Sequence, residues 1–257
     1  MGHIIDISHH QDPTKMNYDK LSAQLDLVIV RTQYGSRVID KHYKTHHREF
    51  QKRGIPTAAY AWVRGISLND MKVEAIDFYQ RTKEFNPTFW FLDVEEESMK
   101  DMRAGVSAYV RALRNCGAKK VGIYVGHHLY KKFNLNLNEV DAIWIPHYGK
   151  NNGQVTSQPS FPCDIHQYTD KGRLEGYSGY LDLNRLMGTK PLEFFTGKEV
   201  VKVDKKDEIK KDKPSDWAKE AWEWAKKEGF LDGTRPKEPV TREELAVVLQ
   251  RLVKKLG

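Results

Sequence analysis

Residues 89–95, which read Phe-Trp-Phe-Leu-Asp-Val-Glu, form a nearly continuous apolar run that ends in two carboxylates. Such a run is typical of a strand buried on both faces of a parallel sheet. Side chains two residues apart on a strand point to the same side, so Asp93 and Glu95 are expected to leave the core together. Paired acids at a strand end are a common device for acid catalysis on sugars. The alternative is a solvated loop start, because Glu96 and Glu97 continue the acidic run.

Strand-like and helix-like segments alternate on both sides of this stretch. Strands are predicted at residues 3–7, 26–32, 57–63, 120–125 and 141–147, and helices at residues 18–24, 41–53, 69–85, 104–115 and 128–133. Two further strands, at residues 163–168 and 179–183, are joined by loops too short to hold packed helices. Alternation predicts a parallel sheet, and eight strands in ~190 residues predict a closed barrel. The predicted fold class is α/β: a modified, incomplete TIM-like barrel of about eight strands and five helices, followed by a small C-terminal helical domain.

An open, doubly wound sheet is the alternative architecture. Acids end the first, fourth and eighth predicted strands, namely Asp6, Asp93 with Glu95, and Asp182. In an open sheet these strand ends would be scattered, whereas in a barrel they converge on one mouth, where active sites of this fold lie. The positions of the acids therefore favour the barrel and predict an acidic mouth.

Composition indicates a globular protein without a membrane span. The chain has 257 residues, 30% charged and 39% hydrophobic side chains, and a net charge of +7. No apolar run approaches the ~20 residues of a transmembrane helix, and no basic segment followed by an apolar one marks a signal peptide near Met1. We see no nucleic-acid-binding signature, so neither nucleic acid nor a membrane is expected as a partner. By itself, the mild positive excess suits a polyanion such as bacterial cell wall or nucleic acid, although basic proteins are common.

Cysteines and histidines indicate no bound group. The two cysteines, Cys116 and Cys163, give no disulfide framework, which favours synthesis in a reducing cytoplasm. The ten histidines lie mostly in adjacent pairs, such as His9 with His10, and adjacent residues chelate poorly on regular elements. We therefore predict no metal and no other cofactor.

Short motifs recur in a fixed order over residues 3–187. They are Asp6-Ile7-Ser8-His9-His10-Gln11, Val30-Arg31-Thr32 with Gly35, Gly54 with Ala59-Tyr60, Asp93-Val94-Glu95, Ile143-Trp144-Ile145 with Tyr148-Gly149, and His166-Gln167-Tyr168 followed by Gly172, Gly176 and Tyr180-Leu181-Asp182-Leu183-Asn184. In this order they resemble glycoside hydrolase family 25, a family of lysozymes. One departure is visible: residues 31–35 hold one residue more before the glycine than the family pattern, which leaves any role for Gln33 or Tyr34 open.

The resemblance implies a modified barrel that hydrolyses the β-1,4 bond after N-acetylmuramic acid in peptidoglycan. By position, Glu95 would protonate the leaving oxygen, and Asp93 would stabilise positive charge at the sugar or orient its N-acetyl group. Asp6 and Asp182 would complete the acidic mouth. Neighbouring carboxylates oppose ionisation, so these three aspartates should raise the pKa of Glu95, and ionised carboxylates stabilise an oxocarbenium-like transition state.

Aromatic side chains at the predicted strand ends are candidates for sugar contact, because sugar rings present apolar faces and polar edges. The predicted substrate-binding residues are Tyr60, Trp62, Tyr124, Trp144 and Tyr148, together with Gln167 from the last motif. The alternative for each aromatic is packing inside the barrel, and it carries more weight for Trp62 and Trp144.

The C-terminal part is predicted to be a separate module. A charged linker, residues 198–213, would follow a catalytic barrel domain, residues 1–197, and precede a helical module, residues 214–257. Two helices are expected in this module. The first would be capped by Ser215, carry Trp217, Ala221, Trp224 and Ala225 on one face, and stop at Gly229. The second would follow a capping box at Thr241-Arg242-Glu243-Glu244 and carry a stripe of Leu245, Val248, Leu249 and Leu252.

This helical pair resembles a single S-layer homology motif, a family that anchors proteins to polymers of Gram-positive cell walls. Because two helices alone have little core, the pair is expected to pack on a second copy, which would give a homodimer, or on the barrel. A plain stabilising appendage is the remaining alternative.

The leading hypothesis is an endolysin-type muramidase from a phage or prophage of a Gram-positive host. It would be made in the host cytoplasm without a signal peptide and act on the wall after release. One alternative is another N-acetylhexosaminidase, such as a chitinase-like barrel. Those families typically carry a longer Asp-rich strand motif than the Trp90-Phe91-Leu92-Asp93 found here. The other alternative is a non-catalytic cell-wall-binding protein, against which four acids at one mouth argue.

Overall fold

The structure of the protein, a computed structural model, describes residues 2–197, 214–233, 236 and 242–256. The chain divides into two compact units, Met1–Glu199 and Val200–Gly257. The predicted linker, residues 198–213, lies outside the described residues, and its boundaries stay a prediction.

A closed barrel of eight strands forms the first unit. Its strands, with a short ninth at the edge, are β1 (His3–Ile7), β2 (Leu25–Tyr34), β3 (Val38–Ile39), β4 (Thr57–Trp62), β5 (Trp90–Val94), β6 (Val121–Val125), β7 (Ala142–Pro146), β8 (Ile165–Gly172) and β9 (Leu181–Leu186). The order β1-β9-β8-β7-β6-β5-β4-β2-β3, with a further pairing of β1 to β2, closes the sheet and leaves β3 as a hairpin partner of β2. The predicted TIM-like barrel is thereby confirmed, and the open doubly wound sheet is excluded.

Helices cover the outside of the barrel between the first seven strands. They are α1 (Tyr18–Ser22), α2 (Tyr43–Lys52), α3 (Leu68–Thr82), α4 (Met102–Cys116) and α5 (Tyr130–Phe133), with α6 (Leu192–Thr196) after the last strand. Side-chain caps start the two longest ones, since Ser67 accepts from the Asp70 backbone N–H and Asp101 accepts from that of Ala104. No helix in the described residues is long and apolar enough to cross a membrane.

The short helix α6, which the sequence analysis did not predict, fills one end of the barrel. Its Phe195 is fully buried and stacks on Phe89, the residue before β5, with 5.5 Å between ring centroids. Phe195 belongs to the same apolar cluster as Phe91 and Trp144, which point into the barrel. The end where β5 begins is thus closed by aromatic packing.

The last strand runs against its neighbours, contrary to the expectation of a purely parallel sheet. β9 pairs antiparallel with both β8 and β1, whereas β1, β2, β4, β5, β6, β7 and β8 form parallel pairs with one another. A parallel connection needs a long crossover, and only a short loop separates β8 from β9. Asp182 therefore lies at the start of its strand, not at its end as predicted. The reversed direction brings that start to the mouth shared by the other strand ends.

A β-bulge absorbs the extra residue in β2. Pairing with β4 runs Arg31 to Tyr60 and then Gln33 to Ala61, which leaves Thr32 without an opposite residue. The Thr32 hydroxyl is 2.8 Å from that of Thr82 on α3, and Gln33 Nε2 donates to a backbone oxygen of α3 at 3.1 Å. Gln33 is therefore turned toward the helix layer and away from the barrel interior.

The second unit contains a helical pair. A 3-10 turn (Asp216–Ala218) leads into α7 (Lys219–Lys227), and α8 (Arg242–Leu256) follows. Phe230 is buried, 5.4 Å from the Trp224 ring, and Arg251 Nη1 donates to the backbone oxygens of Gly229 and Phe230 at 3.3 and 3.2 Å. These contacts hold the end of α7 against α8.

Two details of the predicted module are wrong. Ser215 makes no side-chain cap hydrogen bond, and α7 begins only at Lys219, after the 3-10 turn. Trp217 is 90% exposed and does not share a packed face with Trp224. The predicted stop at Gly229 is confirmed by its positive φ of 75°. The predicted cap residue Thr241 lies outside the described residues.

Candidate active site

A cleft of about 220 Å³ opens at the mouth of the barrel. All ten site residues predicted from the sequence line it: Glu95, Asp93, Asp6, Asp182, Tyr60, Trp62, Tyr124, Trp144, Tyr148 and Gln167. Ser8, His10 and Arg31 line it as well. These three lie in the motifs of the first two strands, where no role was predicted for them.

Strand alternation explains why these side chains meet. Phe89, just before β5, and Phe91 on β5 point into the barrel, and Asp93 continues the same inward row at the mouth. In the register of the sheet, Asp93 is opposite Trp62 of β4 and Tyr124 of β6. The inward rows of neighbouring strands thus end in one layer of polar and aromatic side chains above an apolar core.

Asp93 and Glu95 form the first of two carboxyl pairs. Asp93 is 4% exposed, and burial raises its pKa well above the usual range, with the charge of Glu95 as the next cause. Burial also raises the pKa of Glu95, while the hydrogen bond from Asp93 opposes this rise. The pair therefore holds one proton between its two carboxyls and titrates as a unit. The pKa of Glu95 is raised, as expected, but the main cause is burial and not the neighbouring charges.

One oxygen of this pair is an unsatisfied hydrogen-bond acceptor within the described residues. Asp93 Oδ1 is buried and finds no hydrogen-bond partner among the described residues. A buried acceptor without a partner is costly, and a substrate N–H or O–H donor in the cleft would satisfy it.

Asp6 and Asp182 form the second pair. Burial is the main cause that raises the pKa of Asp6 to about 7 and that of Asp182 to about 9. Asp182 donates a hydrogen bond to Asp6, and the charge of Asp6 further favours the protonated form of Asp182. At neutral pH the two carboxyls therefore share a proton across the mouth.

Gln167 holds Asp6 in place. Its Oε1 accepts the hydroxyls of Tyr124 at 2.9 Å and Tyr148 at 2.7 Å, which fixes the orientation of the amide. Its Nε2 then faces Asp6 and donates to both carboxylate oxygens, at 3.1 and 2.9 Å. Gln167 is 4% exposed, so both ends of its side chain are engaged within the protein.

Asn184, for which no role was predicted, gives Asp6 a second donor. Its Nδ2 donates to Asp6 Oδ2 at 2.8 Å, while its Oδ1 accepts from Trp144 Nε1 at 2.8 Å. Trp144 is 1% exposed and packs edge-on against Tyr60 and Tyr124. A signal was available, since Asn184 closes the last motif, two residues after Asp182.

Trp62 presents the more open aromatic surface of the cleft. It is half-buried, with its ring 5.0 Å from that of Tyr34 and its Nε1 bonded to Glu96 Oε1 at 3.2 Å. Arg64 binds the same Glu96 oxygen at 2.6 Å and lies over the Tyr34 ring. These contacts orient the indole at the rim, where the flat face of a sugar could stack on it.

No metal centre accompanies these acids. Across residues 2–197 and the described parts of the second unit, no three His, Cys, Asp or Glu side chains are grouped so that they could hold a metal ion.

A closed barrel whose mouth combines two proton-sharing carboxyl pairs with an aromatic rim defines a glycosidase-type site. The sequence profile of glycosyl hydrolases family 25 matches residues 5–177, and the chain belongs to this family. It is accordingly a glycoside hydrolase of the lysozyme type.

Solved structures agree with this assignment. A glycosyl hydrolase 25 of Streptococcus pneumoniae, GHIP, is 36% identical over 77% of this chain and 94% of its own, with a TM-score of 0.74. The catalytic domain of the endolysin ply40 from a Listeria monocytogenes bacteriophage is 28% identical over 77% of this chain and 98% of its own, with a TM-score of 0.71. The uncharacterised protein YegX of Escherichia coli K12 is 22% identical over 200 residues, 73% of this chain and 70% of its own.

Proposed function

We propose that the protein is an N-acetylmuramidase that hydrolyses the β-1,4 bond between N-acetylmuramic acid and N-acetylglucosamine in peptidoglycan. The observation that carries the proposal is the Asp93–Glu95 pair, which keeps a proton in a cleft beside a buried, unpartnered acceptor. Glycosidic cleavage needs such an acid, still protonated near neutral pH. Membership of glycosyl hydrolases family 25 supports this substrate class.

In the proposed mechanism Glu95 is the general acid. It is the more exposed member of the pair and can reach the leaving oxygen. The pKa shifts favour the shared proton on Asp93, from which it would cross the hydrogen bond to Glu95 before transfer. Asp93 is then ionised, and its free Oδ1 can accept the N-acetyl N–H or stabilise the positive charge that develops at the sugar.

Asp6 and Asp182 complete the acidic mouth in this mechanism. Two amide donors, from Gln167 and Asn184, favour the ionised form of Asp6 against its burial. An ionised Asp6 held in fixed geometry would add to the stabilisation of the oxocarbenium-like transition state. We propose that aromatic side chains line the sugar-binding site and that Trp62 is the stacking surface. The lining aromatics are Tyr60, Trp62, Tyr124, Trp144 and Tyr148.

Lysis of purified cell walls tests the proposal directly. The full-length protein should clear a wall suspension, and reducing-end analysis of the digest should find N-acetylmuramic acid at the new ends. New N-acetylglucosamine ends would favour the chitinase-like alternative. Wall binding without any new reducing ends would favour the non-catalytic alternative.

The biological role we propose is that of an endolysin acting on Gram-positive walls, made in the host cytoplasm and active after release. The likeness to the endolysin ply40 supports this role. We propose the second unit as its wall-binding module, of S-layer homology type. Support comes from apolar side chains of this unit that are open to solvent, including Trp217 at 90%, Trp224 at 54% and Leu249 at 51% exposure. A homodimer formed through the same surface is the alternative.

A further inference from the structure

The cleft contains one permanent positive charge. Most of its lining consists of carboxyl and aromatic side chains, and Arg31 and His10 are the basic residues among those that line it. Arg31 is on β2 and points inward beside Tyr60, its partner on β4. A guanidinium is charged at every physiological pH and can only donate hydrogen bonds.

Two side chains that do not line the cleft contact this guanidinium. Its Nε donates to Asp40 Oδ2 at 3.2 Å, and its Nη2 contacts His9 Nδ1. Asp40 is 4% exposed and also accepts the backbone N–H groups of His9 at 2.7 Å and His42 at 3.1 Å. Because arginine only donates, His9 Nδ1 is the acceptor, and burial together with the nearby charges lowers the pKa of His9. His9 is therefore a neutral support, and Arg31 keeps its full charge.

The remaining N–H groups of Arg31 are available to the cleft. In the described part of the chain, the contacts to Asp40 and His9 are the hydrogen bonds that its side chain makes, and they use two of five donors. Arg31 is 8% exposed, so these donors are largely shielded from water yet face the cavity. A buried, oriented cation with free donors is a preformed site for an oxyanion.

The chemistry of the proposed substrate supplies such an oxyanion. N-acetylmuramic acid differs from N-acetylglucosamine by a 3-O-lactyl group, which carries a carboxylate when no peptide is attached and an amide carbonyl when one is. The two carboxyl pairs at the mouth, each of which keeps a negative charge when it holds one proton, would repel a lactyl carboxylate unless a cation received it. We propose that Arg31 binds the lactyl group of the muramic residue and so determines the preference for muramic acid-containing glycan. This inference rests on the proposed muramidase function.

A purely structural counterion is the competing explanation, because Arg31 also lowers the pKa of Asp93 through its charge. The two explanations differ in their dependence on substrate. A counterion affects every substrate equally, since it acts on the catalytic acids. A lactyl-binding residue affects substrates according to the charge of the lactyl group.

The test compares two forms of one soluble substrate. Peptide-free glycan strands carry free lactyl carboxylates, and carbodiimide coupling to methylamine converts these to neutral amides without changing the sugars. We expect Arg31→Gln to lower kcat/KM about 10–100-fold on the carboxylate strands and about 3–10-fold on the methylamide strands. The amide carbonyl is uncharged and offers one acceptor oxygen, whereas the carboxylate is charged and offers two. Arg31→Lys should retain part of the preference.

Two controls separate this effect from changes in charge or fold. Arg111→Gln removes the same charge from the exposed face of α4, where Arg111 pairs with Glu139, and should leave the ratio between the two substrates unchanged. Arg31→Gln combined with Asp40→Asn removes the buried carboxylate that the single variant leaves uncompensated. The double variant should lose substrate preference to the same extent as Arg31→Gln alone, but its thermal stability should be restored.

The outcomes are distinct. Equal losses on both strand types, or no loss, would overturn the lactyl site while leaving the muramidase function intact. If the wild-type protein cleaves neither strand type, the muramidase function itself fails, and the lactyl site fails with it.

Discussion

Asp6 and Asp182 are directly opposite each other across the antiparallel strands β1 and β9, each inside its own strand. Their carboxyls share a hydrogen bond, and burial is the main cause that raises both pKa values, to about 7 and about 9. This pairing depends on the reversed direction of β9. The same sequence in a parallel strand would place Asp182 near the opposite end of the barrel.

We predict that Asp182→Asn reduces wall lysis at least ten-fold and changes stability by no more than about 1 kcal/mol at pH 5. The amide keeps the shape of the side chain and can still donate to Asp6, but it cannot supply a proton or a charge. A large fall in melting temperature with normal lysis would instead make Asp182 a structural residue.

The same variant should change the pH dependence of stability. The folded-state pKa of Asp182, about 9, lies above its usual value of 3.8, so the folded protein binds the proton more tightly than the unfolded chain. This contribution to stability is lost as the pH rises between those values. Asp182→Asn should therefore gain stability relative to the wild type between pH 5 and pH 9, as thermal melts at several pH values would show.

We predict that Glu95→Gln abolishes lysis while the fold persists. General acid catalysis contributes about 10²–10⁴-fold, and the amide cannot donate a proton to the leaving oxygen. The matched control is Glu97→Gln, which changes an exposed carboxylate two residues away that pairs with Lys132 at 2.5 Å, and which should keep near-normal activity. Turnover above about a tenth of the wild-type value would remove Glu95 from the acid role.

Sequence alone could place the acids that depend on local rules. Asp93 and Glu95 follow from an apolar run and from side-chain alternation, and Asp6 follows from the same rule on the first strand. The parallel sheet follows from the alternation of strands and helices. Its closure into a barrel follows from the acids at separate strand ends, which can act together only where those ends converge.

What escaped prediction depends on contacts between distant segments. The direction of β9 is the exception, because the short loop from β8 sets it locally. The position of Asp182 at the mouth was predicted from the wrong end of its strand. The bulge at Thr32 brings its hydroxyl to 2.8 Å from that of Thr82, 50 residues later. The support of Asp6 by Gln167 and Asn184 needs side chains from three strands, and no local pattern encodes their orientation.

A buried acid outside the cleft yields a further prediction. Glu74 on α3 is 1% exposed and accepts the backbone N–H of Arg64 at 3.1 Å, and burial is the main cause that raises its pKa from 4.5 to about 8. Because the folded-state pKa is raised, stability falls as the pH rises from about 4.5 to about 8. Glu74→Gln should flatten this slope and raise the melting temperature at pH 8 by a few degrees. The exposed Glu175→Gln is the matched control, and an identical slope in both variants would contradict the prediction.

The last prediction concerns the second unit, Val200–Gly257. A chain that ends at Lys198 should stay folded, because all four mouth acids and the closing helix α6 precede this point. It should cleave soluble glycan strands at the wild-type rate but lose activity on intact walls, where a bound module raises the local concentration of enzyme at its substrate.

The isolated second unit, fused to a fluorescent protein, should label Gram-positive cells. Trp217→Ala, which removes a 90% exposed indole, should weaken this labelling without unfolding the unit. Equal wall lysis by the full and shortened chains, with no labelling, would contradict a wall-binding role. Sedimentation would then separate the two remaining roles, since a dimerising unit makes the full-length particle twice the mass of one chain, whereas a stabilising appendage leaves it monomeric.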